Sequence, residues 1–193
     1  MRKLYLDFDN TLFDTVEFNK SCKKILDKYI SNEEQDKIFK SFTKIYDFRE
    51  VINILSINYN IDKAILLKEY NELLEGNYLF DDTIEFLEYY KEKYELIMLT
   101  FGNNEYQLDK INCSNISKYF KELIITSEYK YVLDIDYKNS IFIDDNPRDL
   151  KGLMNNNPYL IIRLCRGKYK TFEKELVLNK VNSLKEIIEK GLI

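Results

Sequence analysis

The chain has 193 residues, 45% hydrophobic and 32% charged, the composition of a soluble globular protein that can bury one sizeable core with a modest inserted unit. A net charge of -4 supplies no global attraction to nucleic acid or anionic lipid, and no apolar run approaches membrane-spanning length. Histidine is absent and only five glycines occur, so a Ser-His-Asp triad, a histidine base, a His-ligated metal and the glycine-rich dinucleotide or P-loop cradles are excluded.

The first predicted element is a strand at about 3–8, LYLDF, which ends in DFDNT. Asp7 and Asp9 stand two apart, the spacing that puts two side chains on one face of a strand. Taken alone, the pair also reads as a strand entering a capped helix, with Asp9, Asn10 or Thr11 as N-cap. From 15 to 76, four segments carry apolar residues at three- and four-residue spacing and predict consecutive amphipathic helices. DDTIEFLEYYKEKY then predicts a helix started by Asp81 or Asp82. The strand ELIMLT, a Gly-Asn turn, a helix near 104–112, the strand ELIIT, a short helix near 131–137, the strand SIFID, a helix near 147–154 and the strand PYLIIRL follow. SLKEIIEKG closes the chain as a helix ended by Gly191.

Short apolar runs alternating with helices predict an α/β fold: a Rossmann-like parallel sheet core at 1–14 and 79–193, with a small α-helical cap inserted at 15–78. Three isolated cysteines, Cys22, Cys113 and Cys165, lack any CxxC spacing and suit a reducing compartment. The acids near the start interrupt any signal-peptide core, so a cytoplasmic location is expected.

Ligands of open parallel sheets lie at the carboxyl ends of the strands. That edge collects Asp7, Asp9 and Thr11, then Thr100, Phe101, Gly102 and Asn103, then Ser127 and Lys130, then Asp144, Asp145, Asn146 and Asp149. Four converging carboxylates need a cation, and an all-oxygen donor set suits Mg²⁺. Asp144-Asp145-Asn146-Pro147 also reads as a turn and helix cap with Pro147 at the first helical position. Thr100 could equally cap the following helix.

DFDNTLFDT, the strand ending in Thr100, a lysine after the third strand and IDDNPRD resemble, in order, the four motifs of the haloacid dehalogenase superfamily of phosphohydrolases. The insertion at 15–78 is similar to that family's helical cap. The resemblance implies that Asp7 is a nucleophile forming an aspartyl-phosphate and that Asp9 is the general acid and base. It further implies Mg²⁺ held by the Asp7 carboxylate, the Asp9 carbonyl and Asp145, with Asp144 acting directly or through water. Thr100, the amides of Phe101 and Gly102, and Lys130 would hold the phosphoryl oxygens.

Of the lysines flanking the strands, Lys121 and Lys138 precede theirs and fall on the opposite edge, whereas Lys130 follows one; an exposed helix lysine is its bland reading. Arg49, in the cap, reads either as a contact for an anionic substrate group or as a solvated arginine. RLCRGKYK, at 163–170, reads as a basic loop or a steering patch. The expected activity is hydrolysis of a small phosphate monoester, with no nucleic-acid or membrane partner and no indication of oligomeric state. A phosphomutase, a phosphonate hydrolase and a non-catalytic phosphate-binding domain are the alternatives. The pair Asp7 and Asp9 argues against a dehalogenase, whose branch lacks the second aspartate.

Overall fold

A computed structural model describes residues 1–170 and 179–193. Alternating burial builds its centre. In β1 (Lys3–Leu6), Leu4 and Leu6 face one hydrophobic core while Tyr5 faces a second, where it stacks on Phe142. In β2 (Glu95–Phe101), Leu96 and Met98 join the first core, and Ile97 and Leu99 the second. Strands covered on both faces have to be apolar throughout, which is why these segments read as continuous runs.

With β3 (Glu122–Thr126), β4 (Ser140–Asp144), β5 (Leu160–Leu164) and β6 (Asn179–Val181), they form a six-stranded parallel sheet in the order β3-β2-β1-β4-β5-β6. The chain winds outward from β1 on one side and returns to its other side at β4. The reversal therefore falls between β1 and β4, the crevice where such sheets bind ligands.

Four helices stand between β1 and the rest of the sheet: α1 (Thr15–Leu26), α2 (Asn32–Ser41), α3 (Phe48–Tyr59) and α4 (Lys63–Leu74). Each start is marked in sequence by a capping side chain: Asp14 accepts from the Glu17 amide, Ser31 and Glu34 form a capping box, and Asp47 and Asp62 cap α3 and α4. Phe18, Cys22, Ile25 and Leu26 supply the buried stripe of α1. The chain leaves and re-enters the sheet through two segments lying side by side: Asp14 donates its amide to the Tyr78 carbonyl, and Phe80 donates to Leu12.

The remaining helices are α5 (Thr83–Tyr90), α6 (Asn104–Ser114), α7 (Pro147–Met154) and α8 (Leu184–Glu189). Asp82 precedes α5 without a side-chain capping bond, because its carboxylate is taken by Arg166 and the Leu184 amide. The helix expected near 131–137 is a single 3₁₀ turn, Lys130–Val132. Beyond it the backbone turns extended at Leu133, and the Tyr137 hydroxyl lies 2.9 and 2.7 Å from the Lys130 and Leu133 carbonyls. Strand β6 carries no apolar run and was not predicted; it is held by pairing with β5.

The stretch at 163–170 is neither a plain basic loop nor a steering patch in its described part. Arg163 lies buried in β5 and donates to the Tyr169 carbonyl, and Arg166 is buried against Asp82. All three cysteines are unpaired, and no helix among the described residues is long and apolar enough to cross a membrane.

Candidate active site

The ends of β1 and β4 set the first two acids side by side. Leu6 pairs with Ile143, so the next residues, Asp7 and Asp144, meet across the crevice, and the Asp7 amide donates to the Ile143 carbonyl. Asp145 follows, and one oxygen of each of the three carboxylates lies within 4.8 Å of the others. Lys130 comes in from the turn after β3. Its Nζ is 2.5 Å from Asp7 Oδ1 and 2.6 Å from Asp144 Oδ2.

All four side chains are buried, and their charges do not balance. Three carboxylates face one ammonium, while Arg166 is already paired with Asp82. Burial and the Asp144 charge push the Asp7 carboxyl up to about 8 against the pull of Lys130. Burial, with Asp7 and Asp144 beside it, raises Asp145 well above the carboxylate range, and its Oδ2 has no hydrogen-bond partner. Burial alone would lower Lys130, but Asp144 and Asp7 override it and hold the ammonium charged. A surplus of two negative charges and an orphaned buried oxygen fit a divalent cation, for which hard oxygen donors are the natural ligands.

Asp9 parts company with this trio. The strand ends at Leu6, and the chain then curls so that the Phe8 carbonyl receives the amides of Thr11, Leu12 and Phe13, with Asn10 in the left-handed region at φ 58°. Two-residue alternation holds only while the backbone is extended, so the expected common face of Asp7 and Asp9 is lost. The Asp9 carboxylate instead accepts from Thr15 Oγ1 at 2.6 Å, Gln107 Nε2 at 2.8 Å and Lys110 Nζ at 2.5 Å. Burial works against its charge, but Lys110 and these hydrogen bonds together hold Asp9 below the usual carboxylate range.

Thr100 is buried at the end of β2, and its hydroxyl accepts from Gln107 Nε2 at 2.9 Å. It does not cap α6; Asn103 does, through the Tyr106 amide. Phe101 is half-buried, and the Gly102 amide donates to the Thr126 carbonyl. Asn146 caps α7 with Pro147 at its first turn, so the backbone reading of that stretch holds alongside the acid cluster. Ser127 is exposed, and Asp149 is bonded by Asn146 Nδ2.

Gln107 and Lys110 escaped the sequence reading. Their signal was two polar residues three apart on the buried stripe of α6, beside Tyr106 and Ile111. Arg49 is a surface arginine, its side chain 39% exposed, and it pairs across from α3 to α6 with Glu105 at 2.5 Å and Asp109 at 3.4 Å. A cavity of about 300 Å³ opens beside Asp9, between Lys44, Ile45 and Tyr46 on one side and Phe101, Gly102 and Gln107 on the other.

No family model and no curated protein matches the chain. Solved structures do. A Burkholderia xenovorans protein described as a haloacid dehalogenase-like hydrolase matches over 99% of this chain and 98% of its own, with TM-score 0.77 and 14% identity. This chain has the haloacid dehalogenase-like fold. YfnB from Bacillus subtilis, described as a HAD-hydrolase and bound to magnesium, shares this fold over 100% of this chain and 99% of its own at 18% identity and TM-score 0.66. L-2-haloacid dehalogenase from Xanthobacter autotrophicus, with chloropropionic acid covalently bound, does so over 100% of both chains at 13% identity and TM-score 0.66. At 13–18% identity these neighbours have the fold in common with this chain, and the reaction has to be argued from the residues.

Proposed function

We propose that the protein is a Mg²⁺-dependent phosphatase that hydrolyses a small phosphate monoester through an aspartyl-phosphate on Asp7, in the cytoplasm. The observation that carries this reading is the buried trio Asp7, Asp144 and Asp145 around Lys130, with its surplus of two negative charges at the sheet's switch point. Asp7, Asp145 and the Asp9 carbonyl would hold the metal, with Asp144 direct or through water; when bound, it neutralises charge on the phosphoryl group.

In the first step Asp7 attacks phosphorus, the ester P–O bond breaks, and the leaving oxygen takes a proton from Asp9. A phosphate dianion arriving beside Asp9 favours its protonated form. In the second step water attacks phosphorus, its proton passes to Asp9, and Asp7 leaves as carboxylate while inorganic phosphate departs. Splitting one displacement into two lowers the barrier of each. Thr100, Lys130 and the amide of Phe101 orient the phosphoryl oxygens; the Gly102 amide joins them by exchanging its Thr126 partner.

Residues 15–78 act as a cap on a core of 1–14 and 79–193. Support comes from Thr15, which reaches Asp9 directly from α1, and from the Arg49 bridge to α6. The test is phosphate release from a panel of sugar phosphates, nucleotides and 4-nitrophenyl phosphate with and without Mg²⁺. Turnover that vanishes with chelator and returns with Mg²⁺ is expected. Full turnover in excess EDTA, or none on any ester, sinks the reading.

A further inference from the structure

We infer that the ester cleaved here is that of an uncharged, mainly apolar alcohol, whose bulk lies in a second cavity walled by Val16, Phe39 and Tyr46. The inference rests on the phosphatase reading above and names the substrate class of that site.

The second cavity, of about 570 Å³, adjoins the smaller one beside Asp9: Thr15, Asn19 and Tyr46 line both. Its volume falls in the range that holds a small organic ligand. A monoester with its phosphoryl group over Asp7 and its leaving oxygen toward Asp9 has these two cavities for the rest of its alcohol.

The walls select the chemistry. Val16 on α1 and Phe39 on α2 are large apolar side chains left 39% and 37% exposed, and both line the larger cavity. Apolar groups held in water around one concavity favour an apolar partner that displaces that water. Tyr46, common to both cavities, meets Phe42 and Tyr106 edge-on at 5.3 and 5.9 Å and lies 5.7 Å from the Phe39 ring. The shared wall is therefore aromatic and already in place before a ligand arrives.

A charged alcohol finds no free counter-ion there. Each lysine lining either cavity stands beside a carboxylate: Lys20 with Glu17 at 3.0 Å, Lys23 with Asp27 at 2.7 Å, Lys44 with Glu128 at 3.8 Å and Lys110 with Asp9 at 2.5 Å. Lys23 is held further by Asn32 and Gln35. A second phosphate or a carboxylate on the alcohol would have to take an ammonium from its partner. An apolar ring needs only the aromatic and aliphatic walls, to which the stems of Lys20 and Lys23 add.

The test measures kcat/KM for phenyl, 4-phenylphenyl and 4-carboxyphenyl phosphate in Mg²⁺, with the wild-type protein and with the double variant Val16→Gln, Phe39→Gln. Phenol and 4-phenylphenol leave with similar ease, so the ratio of their esters reports binding of the added ring. 4-Phenylphenyl phosphate is expected to exceed phenyl phosphate by about 10-fold or more, chiefly through KM, the effect of burying roughly half of that ring. 4-Carboxyphenyl phosphate should gain nothing over phenyl phosphate. Glutamine keeps helix propensity, and both positions are more than a third exposed, so the double variant retains the fold. Its ratio of 4-phenylphenyl to phenyl ester should fall to about 2 or less as the apolar wall becomes polar. A wild-type ratio near unity, an unchanged ratio in the double variant, or a preference for the carboxylate ester overturns the inference and leaves the phosphatase reading intact. No turnover of any of the three esters removes the phosphatase reading, and this inference with it.

Discussion

The ammonium of Lys130 lies 2.5 Å from a carboxylate oxygen of Asp7, a residue 123 positions earlier in the chain. The same nitrogen touches Asp144, so one buried cation separates two strand ends that would otherwise repel. Replacing Lys130 by Met leaves both acids unpaired, and breaking a buried pair from one side costs about 3–5 kcal/mol. The variant should melt well below the wild-type protein without metal, recover much of the loss in Mg²⁺, and have lost phosphatase activity. Calorimetry with and without Mg²⁺ checks this, and an unchanged metal-free melting temperature would show that the pair contributes nothing.

Asp7→Asn should abolish phosphoenzyme formation, since an amide is a poor nucleophile. It should also raise the melting temperature of the metal-free protein at pH 8, because it removes a buried charge from a crowded acid cluster. Asp9→Asn should still accept phosphate from 4-nitrophenyl phosphate and then release it slowly. Labelled phosphate trapped on a residue other than Asp7, located by mass spectrometry, would refute this division of roles.

The stability of the metal-free protein should fall as pH rises. Asp7 moves from an ordinary 3.8 in the unfolded chain to about 8 in the fold, and Asp145 moves the same way. The folded state therefore holds more protons than the unfolded state between about pH 4 and 8, and stability drops across that window. Asp9, lowered in the fold, acts oppositely: its contribution is lost only as pH falls below the unfolded value. A loss on the order of 2 kcal/mol from pH 5 to pH 8 corresponds to roughly 4–8 °C in a protein of this size. Mg²⁺ should cancel it, and a metal-free protein that melts higher at pH 8 contradicts the charge surplus.

Gly167→Ala should weaken both stability and turnover. Gly167 has φ +63°, and a Cβ there would collide with the side chain of Asn10, inside the loop between the opening acids and the inserted helices. A strained substitution of this kind costs about 1–3 kcal/mol. The same loop is tied from the other side by Arg166, which donates to the Thr11 carbonyl and to Asp82. Thermal melting together with kcat on 4-nitrophenyl phosphate reads the effect; a normal melting temperature and normal kcat would free the loop of this constraint.

The sequence by itself determined the alternation of buried strands and helices, because apolar periodicity and capping residues such as Asp14, Ser31 and Asn103 act over a few residues. It also put Asp7, Lys130, Asp144 and Asp145 on one edge, since the carboxyl ends of parallel strands must share it. Other features rest on partners far apart in the chain, and only the tertiary structure decided them. Asp9 turns from Asp7 to Lys110, 101 residues away; Arg166 crosses to Asp82, 84 away; and β6 exists only by pairing with β5. Local propensity cannot see such pairs, because a lysine on α6 is unremarkable until folding buries it among three aromatic rings with one carboxylate in reach. The direction of Asp9 is a consequence of that burial: desolvation makes an unpaired charge too costly, and the nearest opposite charge sets where the carboxylate points.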